Sequence, residues 1–159
     1  MQQVKPQQLQ KWEITVRSSK LQGVKPDQAW SLVSDYYGIH KILPSITSAS
    51  QKVDGGLRQI TFSMNGSPQT HWFKDRLVNM DHKVRSYTYE IGESNCGLEK
   101  ITSTLKVVPV GEDSCMVEWS AIAGQPIQGW TKSELDTQMQ ALATEAAKTI
   151  EKAFRASTK

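Results

Sequence analysis

Four side chains in the middle of the chain are of the types that move protons or hold charge, and strand alternation sets them on one face. In residues 57–64, Arg58 alternates with Ile60, Phe62 and Met64, while Gln59, Thr61 and Ser63 take the other side. In residues 69–80, Asp75 shares a face with His71, Phe73 and Leu77, opposite Lys74 and Arg76; Trp72 and Val78 make that opposite face partly apolar as well. In residues 84–92, Tyr87, Tyr89 and Ile91 oppose Thr88 and Glu90. The strands are consecutive, so Arg58, Asp75, Tyr89 and His71 are candidate neighbours on an apolar surface. A buried charge is costly unless paired, and Arg58 with Asp75 meets that need. Such a set suits cofactor-free acid–base chemistry. The carboxylate moves a proton, the guanidinium holds a developing oxyanion, and the phenol orients or donates. Equally, Arg58 and Asp75 could be an ion pair that fixes strand register, with Tyr89 a core aromatic and His71 a satisfied core histidine. Alternation alone leaves both readings open.

Other chemistries find little support. No two histidines stand at metal-ligand spacing: His82 falls in a turn and His40 ends a short helix. Cys96 and Cys115 are far apart without a CxxC, so they read as reduced thiols, not a zinc site. There is no GxSxG, P-loop or dinucleotide fingerprint, and neither a metal nor a cofactor is expected. The glycine-bounded segment from Gly92 to Gly97 lies between two strands and reads as a mobile loop at a cavity mouth. The net charge of +3 is spread among acidic residues with no basic stripe, which argues against nucleic acid as a partner.

The elements that must position these residues follow from periodicity. Trp12, Ile14 and Val16 alternate with Glu13, Thr15 and Arg17, giving a strand over residues 11–21. Pro26 opens a short helix to about Asp35, and a second runs over 36–42 until Pro44 ends it. Strands are expected at 46–54, 57–64, 69–80, 84–92, 98–109 and 115–123, joined by turn chemistry such as Gly55-Gly56 and Asn65-Gly66-Ser67-Pro68. After Gly124-Gln125-Pro126 the period becomes helical: Trp130, Leu135, Met139, Leu142, Ala146, Ile150 and Phe154 predict a helix over 127–156, about 45 Å long. The expected architecture is α+β: a curved seven-stranded antiparallel sheet around a long C-terminal helix, with two short helices after the first strand. Residues 1–10 read as a flexible segment and 11–159 as one domain. A cavity between sheet and helix would hold a small molecule. Candidate contacts are Phe62, His71 and Phe73, then Ile101 and Trp119 from later strands, and Trp130, Met139 and Leu142 near or on the helix. No apolar run approaches a membrane span, and the polar N-terminus lacks a signal-peptide core, so a cytoplasmic location and no membrane partner are expected. Protein partners are not legible.

Several stretches carry a family resemblance. Lys11-Trp12, then Lys25-Pro26-Asp27-Gln28-Ala29-Trp30-Ser31-Leu32, Asp35, and His40-Lys41-Ile42-Leu43-Pro44-Ser45 resemble the lachrymatory factor synthase family of plants. That family belongs to the START-like, helix-grip superfamily (SRPBCC, polyketide cyclase-like). The resemblance implies rearrangement of a sulfenic acid to a thial S-oxide without a cofactor. It places the family's essential arginine on Arg58, its carboxylate on Asp75 and a pocket tyrosine on Tyr89. The family carboxylate is a glutamate, one methylene longer than Asp75, and a second pocket tyrosine falls on Ile101. Two functions are therefore expected to compete. One is an isomerase or cyclase acting on a small organic plant metabolite, a sulfenic acid among the candidates; the other is a binding or carrier protein for a small hydrophobic metabolite.

Overall fold

Period-two alternation at both ends of the β region becomes direct pairing: β1 (Trp12–Arg17) lies antiparallel to β8 (Ser114–Ala123), with Val16 opposite Trp119. The computed structural model describes residues 10–44, 47–63 and 69–156. The N-terminal residues 1–9, the expected turn at 64–68 with Met64, Ser45, Ile46 and the last three residues lie outside the described residues. The other strands are β2 (Leu21–Gln22), β3 (Thr47–Lys52), β4 (Arg58–Ser63), β5 (Thr70–Asp81), β6 (Ser86–Ser94) and β7 (Ile101–Pro109). They form one antiparallel sheet in the order β1-β8-β7-β6-β5-β4-β3, with β2 also paired to β8. α1 (Pro26–Val33) and a 3-10 segment (Tyr36–Lys41) follow β2, and α2 (Lys132–Ala156) closes the chain.

Three expectations change in detail. The expected first strand divides in two, which gives eight strands instead of seven among the described residues. At the break, the Ser18 hydroxyl accepts from the Val117 N–H at 3.0 Å, where a ladder carbonyl would otherwise do so. The long helix starts at Lys132, not 127. Thr131 and Glu134 form a capping box: Thr131 Oγ1 accepts from the Glu134 N–H (3.0 Å) and Glu134 Oε1 from the Thr131 N–H (2.8 Å). Leu77, expected inward, is 40% exposed beside Val78 at 55%. The register of β5 against β6 slips between Lys74 and Asp75 and again between Leu77 and Asn79; Leu77 keeps the register of Asp75, opposite Tyr89, and is exposed just before the second slip.

The core lies between the concave face of the sheet and α2. The C-terminal half of α2 sets Ala143, Ala146 and Ile150 into it, each fully buried. Small alanines let the helix approach closely there. Glu151 Oε2 accepts from the Gln22 N–H (2.8 Å), tying that half to β2, and Gln140 Nε2, earlier on the helix, donates to the Arg17 carbonyl (2.9 Å) of β1. The N-terminal half carries larger side chains, Leu135, Met139 and Leu142, and stands over an open space. None of the described helices is long and apolar enough to cross a membrane.

Candidate functional site

Arg58 begins β4 and Asp75 is its direct cross-strand partner in β5. Their side chains meet as a forked ion pair: Nη2 to Oδ2 at 2.8 Å, and Nε to Oδ1 and Oδ2 at 3.1 and 3.2 Å. Both residues are 1% exposed. The remaining guanidinium contacts are also made inside the protein. Nη1 donates to the Tyr36 carbonyl (2.8 Å) and the Tyr87 hydroxyl (3.3 Å), while the Tyr36 hydroxyl donates to Asp75 Oδ1. Three phenol rings surround the cation, with centroids 4.0 Å (Tyr36), 4.8 Å (Tyr89) and 5.8 Å (Tyr87) from Arg58 Cζ. Among the described residues no buried side-chain nitrogen or oxygen lacks a partner. Burial pushes the Asp75 carboxyl above its ordinary value, against the charge of Arg58 and the hydrogen bonds from Arg58 and Tyr36. Burial likewise raises Tyr36, Tyr87 and Tyr89, opposed by the Arg58 charge.

The open space under α2 is a separate feature. It is a cavity of about 90 Å³, several times the roughly 10–15 Å³ that one water requires. Phe62 and Phe73 form one wall, Ile101 and Trp119 another, and Met139 and Leu142 the roof on α2. Leu98 and Trp130 stand where the β6–β7 and β8–α2 loops come together. Trp130 Nε1 donates to the Cys96 carbonyl at 2.9 Å. Gly97, at φ +86°, lies so close to the second loop that an added Cβ would sit 2.6 Å from the Gln128 carbonyl oxygen. Polar groups are few: the Tyr89 hydroxyl, which accepts from Trp119 Nε1 at 3.0 Å, its strand neighbour Ser103, and Gln138.

The structure thus divides the residues singled out in the sequence. Phe62, Phe73, Tyr89, Ile101, Trp119, Trp130, Met139 and Leu142 surround the cavity. Arg58 and Asp75 lie together but outside its lining, sealed behind the Tyr89 ring. His71 is also outside it, half-buried with its ring 5.6 Å from that of Phe62. Tyr36 and Tyr87 complete the ion-pair cage, and sequence reasoning assigned neither a role. Alternation did set Tyr87 inward, but Tyr36 sits in a 3-10 segment with no period to read. His82 is exposed, yet its Nδ1 accepts from Trp30 Nε1 at 3.0 Å. His40 pairs with Ser50 Oγ (2.7 Å). No cluster able to hold a metal ion occurs among the described residues.

A curved antiparallel sheet gripping a long C-terminal helix over an apolar cavity is the helix-grip, START-like architecture. The chain belongs to the polyketide cyclase/dehydrase and lipid transport family, whose pattern it matches over residues 13–156. Solved structures share the fold. XoxI from Bacillus cereus is 23% identical with a TM-score of 0.71, the match covering 90% of this chain and 95% of that one. An uncharacterized protein from Bacillus thuringiensis is 20% identical with a TM-score of 0.67, covering 91% and 98%. Major latex-like protein 151 from Panax ginseng is 15% identical with a TM-score of 0.69, covering 90% and 97%. At these identities the likeness is one of fold. The match is to the broad family, not to lachrymatory factor synthases in particular.

Proposed function

We propose that this protein binds a small, mainly hydrophobic molecule in the cavity between the sheet and the first half of α2. The observation that carries this reading is the contrast between the two polar regions. The cavity wall is aromatic and aliphatic, while the Arg58–Asp75 pair is sealed and its hydrogen bonds are made within the protein. Lipid transport in the family description is consistent with it. The reading includes a cytoplasmic location, in keeping with two unpaired thiols. Ala121 is buried on the cavity wall, so Ala121→Leu fills the space with little change elsewhere. A cognate ligand at about 100 times its Kd stabilises by about 2.7 kcal/mol, or roughly 5–11 °C in Tm for a domain of this size. The shift should appear in wild type and vanish in Ala121→Leu. An equal shift in both would place the ligand elsewhere.

One observation favours a second reading, a cofactor-free isomerase or cyclase. Tyr89 belongs to both regions: it lines the cavity and its ring lies against Arg58. In that reading Asp75 moves the proton, Arg58 stabilises an oxyanion and Tyr89 orients the substrate, as the resemblance to lachrymatory factor synthases implies. It requires the cage to open toward the cavity. The assay supplies 1-propenesulfenic acid generated in situ by alliinase to wild type and Asp75→Asn. Thial S-oxide from wild type alone supports the enzyme; inert wild type alongside ligand-induced stabilisation favours the binder.

A further inference from the structure

The chemistry of the cavity wall narrows what the proposed binding site can hold. Among the described residues its lining contains no lysine, arginine, histidine, aspartate or glutamate. The charge behind the Tyr89 ring, on Arg58, is matched by Asp75, and its donors engage Asp75, the Tyr36 carbonyl and the Tyr87 hydroxyl. A carboxylate drawn into the cavity would lose its hydration and meet no free counter-charge.

The polar corner of the cavity has a direction. Tyr89 and Ser103 are cross-strand partners, and both face the cavity. The Tyr89 oxygen accepts from Trp119 Nε1. An indole N–H and a guanidinium only donate, so neither Trp119 nor Arg58 can take the Tyr89 proton. That proton goes to Ser103 or into the cavity. If Tyr89 donates to Ser103, the serine proton is left over; if Ser103 donates to Tyr89, the tyrosine proton is. The Ser103 hydrogen bond favours the ionised form of Tyr89, the sense expected when the serine donates, and that arrangement turns the tyrosine proton to the cavity. Gln138, half-buried across from it on α2, can both donate and accept and does not alter that direction.

We infer that the site selects uncharged, mainly hydrophobic carbonyl compounds, with the carbonyl oxygen accepting a hydrogen bond at the Tyr89–Ser103 corner. This rests on the binding reading above, and the test separates the two. Acetophenone, ethylbenzene and benzoate are similar in size and differ in polar end. Each is titrated into the wild-type protein at neutral pH by calorimetry, and the carbonyl stretch of bound acetophenone is recorded by infrared difference spectroscopy. Acetophenone and ethylbenzene should bind, and benzoate should bind at least about tenfold more weakly than acetophenone, a difference of about 1.4 kcal/mol or more. The bound carbonyl band should lie at lower wavenumber than in a hydrocarbon solvent. If ethylbenzene binds but benzoate matches acetophenone, or the band keeps its hydrocarbon position, the inference is overturned and the binding reading stands. If none of the three binds, both are overturned.

Discussion

Removing either half of the buried ion pair should have unequal consequences, because only one of the two groups can give up its charge. Asp75→Asn leaves a guanidinium that is 1% exposed and cannot deprotonate in a protein. Stranding one partner of a buried pair costs about 3–5 kcal/mol. At roughly 2–4 °C per kcal/mol for a chain of this size, Tm should fall by about 6–20 °C, with little dependence on pH. Arg58→Met leaves a carboxyl instead, which escapes the penalty by taking up a proton. Without Arg58, burial raises the folded pKa further above the ordinary value of 3.8. A carboxyl with a raised folded pKa contributes fully below its unfolded pKa, and that contribution is lost as pH rises toward the folded value. While the group stays protonated in the fold, each pH unit costs about 1.36 kcal/mol. Between pH 5 and pH 7 the Arg58→Met penalty should therefore grow by up to about 2.7 kcal/mol, or roughly 5–11 °C in Tm. The double variant Arg58→Met/Asp75→Leu removes both charges and should recover most of the loss. Circular-dichroism melts of all four proteins across that pH range measure each term against wild type. A flat Arg58→Met penalty, or an Asp75→Asn cost below about 1 kcal/mol, would refute the sealed pair and strengthen the case for a carboxylate open to the cavity.

Alkaline titration offers an independent check. Burial holds the phenols of Tyr36, Tyr87 and Tyr89 above the ordinary value of 10.0, so their contribution to stability is complete below about pH 10 and is lost as pH rises further. Their phenolate absorbance should appear together with loss of the far-ultraviolet helix signal; ionisation in the intact fold would contradict the packing. Thiol labelling of the native protein should modify half-buried Cys96, while Cys115, fully buried and pushed up to about 11, reacts only on denaturation. Peptide mapping reads the two sites separately. Gly97→Ala introduces a Cβ at positive φ against the Gln128 carbonyl and should cost about 1–3 kcal/mol, with a Trp130 fluorescence change as the loops part. Thr131→Ala should cost about 1 kcal/mol through loss of the α2 cap, read by urea titration.

Where the chain is regular, the sequence was a reliable guide. β4 alternates without interruption, so the inward face of Arg58, Ile60 and Phe62 could be read from six residues. β5 could be read as far as Asp75 but not at Leu77, which keeps the register of Asp75 and is nonetheless 40% exposed, and the slip that follows it leaves no mark in the pattern of apolar residues. The start of α2 was legible in Thr131-Lys132-Ser133-Glu134, a capping-box spacing that the apolar period alone overran by five residues. Tyr36 was not legible. It reaches Asp75 from a short 3-10 segment through tertiary packing, and nothing local in Asp35-Tyr36-Tyr37-Gly38 indicates the direction of its hydroxyl. The division between a sealed ion pair and an apolar cavity was also beyond alternation. Both sit on the same face of the sheet, and what separates them is the bulk of Tyr89 and its contact with Trp119.

The unequal halves of α2 bear on how such a protein can change. Ala143, Ala146 and Ile150 clamp the helix to the sheet, where an added methylene would meet close-packed neighbours. Leu135, Met139 and Leu142 face empty space, where side-chain volume can vary without disturbing that clamp. A single helix thus keeps the positions that must stay fixed apart from those free to drift. Libraries randomised at 135, 139 and 142 should yield folded members with altered ligand range far more often than libraries randomised at 143, 146 and 150.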